Sequence, residues 1–206
     1  MIKSVGKYTY GTDTYTTTVR EFISYADPTR PAVNIGSFTG IGLGCRFFPS
    51  EGVAHNPKAC TNYAFGNLGP KNEIFNNIAI LPKVQTKGDI NIGSDVWFGE
   101  SVTIMSGVTV GHGAVVATNS HVFKDIEPYA IYGGNPAKLI KFRFDKEIID
   151  ALLEMKWWDL PDETINKILP LLQQEPTMHI INQINQIIKN EKWEVNDEEW
   201  TNHFFF

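Results

Sequence analysis

Cysteine is scarce in this chain of 206 residues: there are two, Cys45 and Cys60. Two cysteines do not make a disulfide framework. Basic charge is short as well, with 18 Lys and Arg against 23 Asp and Glu and a formal net charge of -5. A nucleic-acid binder would carry a basic face, so that class is set aside, while a local basic pocket for a phosphorylated molecule stays open. No apolar run approaches ~18 residues, so no transmembrane helix is expected. The start, Met1-Ile2-Lys3-Ser4, leads into polar and aromatic sequence without the apolar stretch of a signal peptide, and a cytoplasmic protein is expected. HExxH, close His/Cys clusters and GxSxG are missing too, so neither a metal site nor a serine nucleophile is expected.

What is present is a repeat of six. Between residues 90 and 127 one column holds Ile92, Phe98, Ile104, Val110, Val116 and Val122. Two places earlier runs a second, with Ile90, Val96, Val102, Val108, Ala114, Ser120 and Ile126. A third follows the first with Gly93, Gly99, Gly111 and Ala117, broken by Met105 and Phe123. A period of six suits neither a helix at 3.6 nor a plain two-layer sheet. It predicts an all-β core, a parallel β-helix in which six residues make one flat side and three sides make a turn. Both apolar columns point inward, and the glycines are expected at corners where a Cβ would strain the backbone. The repeat also covers Val33, Ile35, Thr39, Ile41, Cys45 and Phe47, which makes Cys45 a core thiol. It is then interrupted over residues 49–88, too long for an ordinary connection and expected to be functional.

The repeat is followed by Tyr129-Ala-Ile-Tyr-Gly-Gly-Asn-Pro-Ala137 and by Lys141-Phe-Arg-Phe144; with it stand Asp95-Val-Trp-Phe-Gly99 and Lys156-Trp-Trp158. These residues resemble the hexapeptide-repeat acyltransferases, and among them the xenobiotic branch. That branch includes type B chloramphenicol and streptogramin acetyltransferases and related sugar O-acetyltransferases. The resemblance spans roughly residues 33–170. It implies a left-handed coil, acetyl-CoA as co-substrate, and a homotrimer with active sites between subunits.

The resemblance also implies site residues. In the family the interrupting loop carries Gly-Asn-His followed by an aromatic-Pro-Phe stretch. Here His55 matches as the catalytic base, and Tyr63 and Phe65 match as acceptor contacts. Val53-Ala54 replace Gly-Asn, and Ala64 replaces the Pro. An acceptor hydroxyl needs a base to attack a thioester, and imidazole can take that proton and return one to the leaving thiolate. Trp97 flanks two inward residues and should point outward, either beside the thioester arm or into a neighbouring subunit. Ala117, Thr118 and Asn119 resemble the stretch that holds the pantetheine arm, and Gly134 and Asn135 lie in the exit from the last coil. Lys124, Lys138, Lys141 and Arg143 are expected to meet coenzyme A phosphates. His112 and His121 are expected on the surface or between subunits.

Residues 1–143 are thus expected to form the β-helix domain and 144–206 a helical appendage and tail. The period changes to 3.6 with Ile148, Ile149, Leu152 and Leu153, then Ile165, Ile168, Leu169 and Leu172, then Ile180, Ile181, Ile184, Ile187 and Ile188. These helices are expected to cover a coil end and a subunit interface. Tyr8, Tyr10, Tyr15, Phe22 and Tyr25 are expected to cap the open end or wall an acceptor pocket. Three functions remain in view: O-acetylation of a sugar hydroxyl of a surface polysaccharide or its precursor, O-acetylation of an antibiotic, and a non-catalytic β-helical scaffold. The altered motif around His55 favours the first.

Overall fold

A computed structural model describes residues 2–12, 17–19, 31–49, 59–61, 63 and 86–191. His55, Phe65, Tyr15, Phe22, Tyr25 and the tail beyond Glu191 lie outside the described residues. Thirteen strands are named among them: β1 (Ile2–Val5), β2 (Thr17–Val19), β3 (Val33–Ile35), β4 (Gly40–Ile41), β5 (Cys45–Phe48), β6 (Ile90–Ile92), β7 (Trp97–Phe98), β8 (Thr103–Met105), β9 (Thr109–Val110), β10 (Val115–Val116), β11 (His121–Val122), β12 (Ala130–Gly133) and β13 (Lys138–Phe142). From β3 to β11 they are dealt in rotation to three sheets. The first is β1-β3-β6-β9, the second β13-β12-β10-β7-β4 and the third β11-β8-β5-β2. Every pairing is parallel except β12 with β13. Ile92 lies beside Val110, one turn of three sides further on. This is a three-sided parallel β coil, and the period of six is its flat side.

Both apolar columns are buried, from Val33 and Ile35 through Ile126. Phe47 and Phe98 meet edge to face, with centroids 6.0 Å apart, and fill one level of the prism. Where the second column is polar, the group finds a partner inside. The Thr39 hydroxyl donates to Gly93 O at 3.1 Å, Ser120 Oγ to Ala117 O at 2.5 Å, and the Cys45 thiol points at Gly99 O at 3.2 Å.

The corners differ from the expectation. The column glycines do not take the left-handed conformation; three places after most main inward residues the chain does, though not at Asp125 after Val122. Tyr8, Phe38, Asp95, Ser101, Asn119 and Tyr129 have φ between 56° and 60°, and Gly44, Gly107 and Gly113 have φ of 75°, 72° and 69°. That conformation is costly for a residue with a Cβ. Hydrogen bonds between stacked corners hold it: Asp95 N–H donates to Ser37 O, Gly113 N–H to Ser94 O and Tyr129 N–H to His112 O. The column glycines serve stacking instead. A Cβ on Gly93 would sit 2.7 Å from the His112 amide nitrogen, and one on Gly99 would sit 2.6 Å from that of Thr118.

Three helices follow: α1 (Lys146–Met155), α2 (Asp162–Leu172) and α3 (Met178–Asn190), with a 3-10 turn at Trp157–Asp159. They pack along the first corner, the ladder of Tyr8, Phe38, Asp95, Gly113 and Tyr129, rather than over a coil end. At one level Lys7 Nζ donates to Leu160 O (2.9 Å) and Asp162 (2.8 Å), and the Tyr8 hydroxyl meets the same carboxylate. At the next Phe38 packs on Trp157 at 4.8 Å. Then His112 stacks on Trp158 at 4.7 Å, and Tyr129 closes the last level among Ile149, Leu152 and Ile181. The apolar faces read at period 3.6 therefore have a definite counterpart. No helix among the described residues is long and apolar enough to cross a membrane.

Candidate active site

The second corner, marked by Gly44, Ser101 and Asn119, gathers most of the expected cofactor residues. Ala117, Thr118 and Asn119 turn out of β10 there. Ala117 N–H donates to Tyr132 O at 2.8 Å and Asn119 N–H to Glu100 O at 2.9 Å. Thr118 and Asn119 are exposed. The β12–β13 hairpin folds back over the same corner. Gly134, at φ 97°, accepts from His121 N–H at 3.0 Å and donates to Ser120 Oγ at 3.2 Å. Ala137 N–H donates to His121 O at 2.8 Å. Asn135 and Lys138 thereby stand exposed beside Thr118 at the C-terminal end of the coil.

Trp97 stands on the outer face of the second sheet, 56% exposed, in register between Gly40 and Val115. The alternation that buries Val96 and Phe98 turns it outward. Tyr10 lies over Gly40, whose added Cβ would meet the Tyr10 hydroxyl at 2.5 Å, so two aromatic side chains share that face.

The four basic residues do not form one cluster. Lys138 and Lys141 lie along β13, opposite Gly133 and Ile131. Lys124 is at the third corner, beside Asp125, whose carboxylate accepts from Thr109 N–H at 2.8 Å. Arg143 is engaged at the first corner. Its Nη1 donates to Gly113 O at 2.7 Å and to Asp95 at 3.3 Å, and the guanidinium lies over Tyr129 and Phe144. Burial pushes the Asp95 carboxyl up against the pull of Arg143. Burial, with Asp95 adding to it, also raises the Tyr129 phenol. Arg143 here fastens the start of the appendage to the coil.

Of the acceptor residues, Tyr63 is exposed and donates its amide N–H to Thr61 Oγ1 at 3.2 Å. His55 and Phe65 lie outside the described residues. His112 is no simple surface residue. Its Nδ1 accepts from Ser94 N–H at 2.8 Å, and burial, with Lys156 adding to it, holds it below the ordinary imidazole range. His121 lies on the outer face of the third sheet, stacked on Phe123 at 4.3 Å, and its Nε2 is buried without a partner among the described residues. The break in the glycine column at Met105 and Phe123 is the mark that face leaves in the sequence.

No family model matches the chain. A chloramphenicol acetyltransferase of Agrobacterium fabrum is 42% identical over 173 residues, which is 82% of this chain and 80% of that protein. A probable macrolide acetyltransferase of Lysinibacillus sphaericus is 45% identical over 142 residues, 68% of this chain and 77% of that protein. Among solved structures, a galactoside acetyltransferase in complex with coenzyme A gives a TM-score of 0.47 at 19% identity, covering 79% of this chain and 72% of that one. A three-sided coil built on a period of six, together with 42% identity over four-fifths of its length, means that the chain belongs to the hexapeptide-repeat acetyltransferases, in their xenobiotic acetyltransferase branch.

Proposed function

We propose that the chain is an acetyl-CoA-dependent O-acetyltransferase acting on a sugar hydroxyl of a surface polysaccharide or its precursor, at a cytoplasmic site. The observation that carries the transferase reading is the meeting of Ala117, Thr118, Asn119, Gly134, Asn135 and Lys138 at one exposed corner. The turn of backbone there suits a pantetheine arm. Lys138 and Lys141, ranged along one edge strand, suit its phosphates. Trp97 suits the thioester end. His55, in the segment that leaves the third sheet, takes the proton from the acceptor hydroxyl as its oxygen attacks the acetyl carbonyl. An N–H on an adjacent coil meets the oxyanion, and the proton then passes to the departing thiolate. Tyr63 and Phe65 line the acceptor side. The coil winds left-handed and three copies assemble, as membership of the family implies, and the outward Trp97 and Tyr10 offer a face for that assembly. The replacement of Gly-Asn by Val53-Ala54 before His55 supports a saccharide. The names of the relatives support the second reading, an antibiotic acceptor.

A panel of sugars, chloramphenicol and a macrolide, each with acetyl-CoA and scored by thiol release, separates these. Turnover of the antibiotics without the sugars would reverse their order. In the same assay His55→Ala should lower kcat by roughly 10²–10⁴ and leave the KM for acetyl-CoA unchanged. A fall confined to that KM would remove His55 from the role of base.

A further inference from the structure

The third sheet differs from the other two. After the main inward residue the first sheet has Gly36, Gly93 and Gly111, and the second has Gly42, Gly99 and Ala117. The third has Phe48, Met105 and Phe123. Its strands β5 and β8 run on through Phe48 and Met105, which pair in register and, by alternation, face outward. Phe48 and Met105 are half-buried and Phe123 is exposed. Beside this apolar stripe runs a polar one, Arg46, Thr103 and His121, also in register.

We propose that this face binds the acceptor, and that it takes an acceptor carrying a carboxylate or phosphate, held between Arg46 and His121 while the apolar stripe receives the uncharged ring. The proposal rests on the acetyltransferase reading and names its acceptor class. Strand spacing sets Arg46 and His121 about 10 Å apart at Cα, and the short Thr103 between them lets the two longer side chains converge on one anion. Arg46 is exposed and supplies the fork that carboxylates and phosphates prefer. The His121 ring is held by its stack on Phe123, and its backbone by Gly134 O and Ala137 N–H. Its Nε2 is buried with no partner among the described residues, and an anion drawn to Arg46 supplies one. Burial and the charge of Arg46 hold His121 below the ordinary imidazole range; the arriving anion reverses the second of these. Among the described residues Arg46 is the charged group facing the ring, with Thr103 beside it in register and Phe123 stacked on it. The face also carries both ends of the 50–85 segment. β5 runs into Pro49, and the Thr86 hydroxyl donates to Pro49 O at 2.7 Å. His55 is six residues beyond Pro49, within a reach of about 20 Å.

The test is titration of the folded protein with glucose, glucuronate and glucose 1-phosphate, read by the imidazole C–H resonances and by calorimetry. One or both anionic sugars should bind about tenfold tighter than glucose, as a charge-assisted contact provides. Which of them does so identifies carboxylate or phosphate. The His121 resonance should move toward the imidazolium position. Arg46→Ala and His121→Phe, the latter keeping a ring on Phe123, should abolish the preference and leave the KM for acetyl-CoA unchanged. Arg46 is exposed, so its substitution reads the site without threatening the fold. Equal binding of all three sugars overturns the proposal, as does a preference that survives both variants. A loss that falls on acetyl-CoA assigns Arg46 to the coenzyme and also overturns it. Thiol release absent with every acceptor, while the anion preference persists, would count against the transferase reading and not against the subsite.

Discussion

At the scale of single residues, two kinds of glycine divide the work of the coil. Gly99 has an ordinary φ and no room; Gly44 has φ +75° and room, its nearest neighbour being Ser101 Oγ at 3.4 Å from an added Cβ. Gly99→Ala should therefore cost about 1–3 kcal/mol by forcing two turns apart. Gly44→Ala should cost about 1 kcal/mol or less, because Ser101 and Asn119 already hold the same conformation at that corner. Thermal melts that reverse this order would make conformation, not stacking, the reason for the glycine column. The columns themselves were legible in the sequence, since inward burial repeats every six residues wherever the chain is flat. The corners were not, because Phe38 and Ser101 do not look like residues of positive φ, and Asp95 and Asn119, which visit it more readily, are too few to mark a column. The site was legible in the same uneven way. Stretches such as Ala117-Thr118-Asn119 and Gly134-Asn135 were visible because they are local. Lys124 and Arg143 were misgrouped because neighbours in a coil's sequence end on different corners.

At the scale of elements, the question is what fastens α1, α2 and α3 to the coil. Amphipathic faces state that each helix must cover something, but not what; Trp157-Trp158 was the available clue. Trp158 is 2% exposed, and its stacking partner His112 must keep Nδ1 unprotonated to accept from Ser94. The folded protein thus binds a proton at His112 less readily than the unfolded chain, whose histidines titrate near ~6.5. Stability is full above that value and falls as pH drops below it toward the folded-state pKa. His121 acts in the same direction, and Asp95, whose pKa is raised, acts oppositely at lower pH. Urea midpoints should fall from pH 7 to pH 5. His112→Phe, which preserves a ring against Trp158, should lower the midpoint at pH 7 yet flatten that decline. An undiminished slope in the variant would remove His112 as a source of the pH dependence.

At the scale of the molecule, the helices occupy the first corner from end to end, so any neighbour must meet the coil elsewhere. The proposed trimer would meet through the second sheet, where Tyr10 and Trp97 face outward, and light scattering at micromolar concentration should return three times the chain mass. A single-chain mass would end that reading and the shared active site with it.

A coil whose turns touch only the turns above and below could in principle gain or lose one without penalty. This one cannot. The appendage bonds to Lys7 and Tyr8 at one end and closes over Tyr129 at the other, so it gauges the number of turns. Duplicating eighteen residues would lengthen the prism by about 4.8 Å and leave the helices one rung short. Duplicating six would rotate everything downstream by one side and carry the β12–β13 hairpin away from Thr118. Insertions placed between the rungs should therefore be far less tolerated than insertions in the 50–85 segment, which lies outside the count.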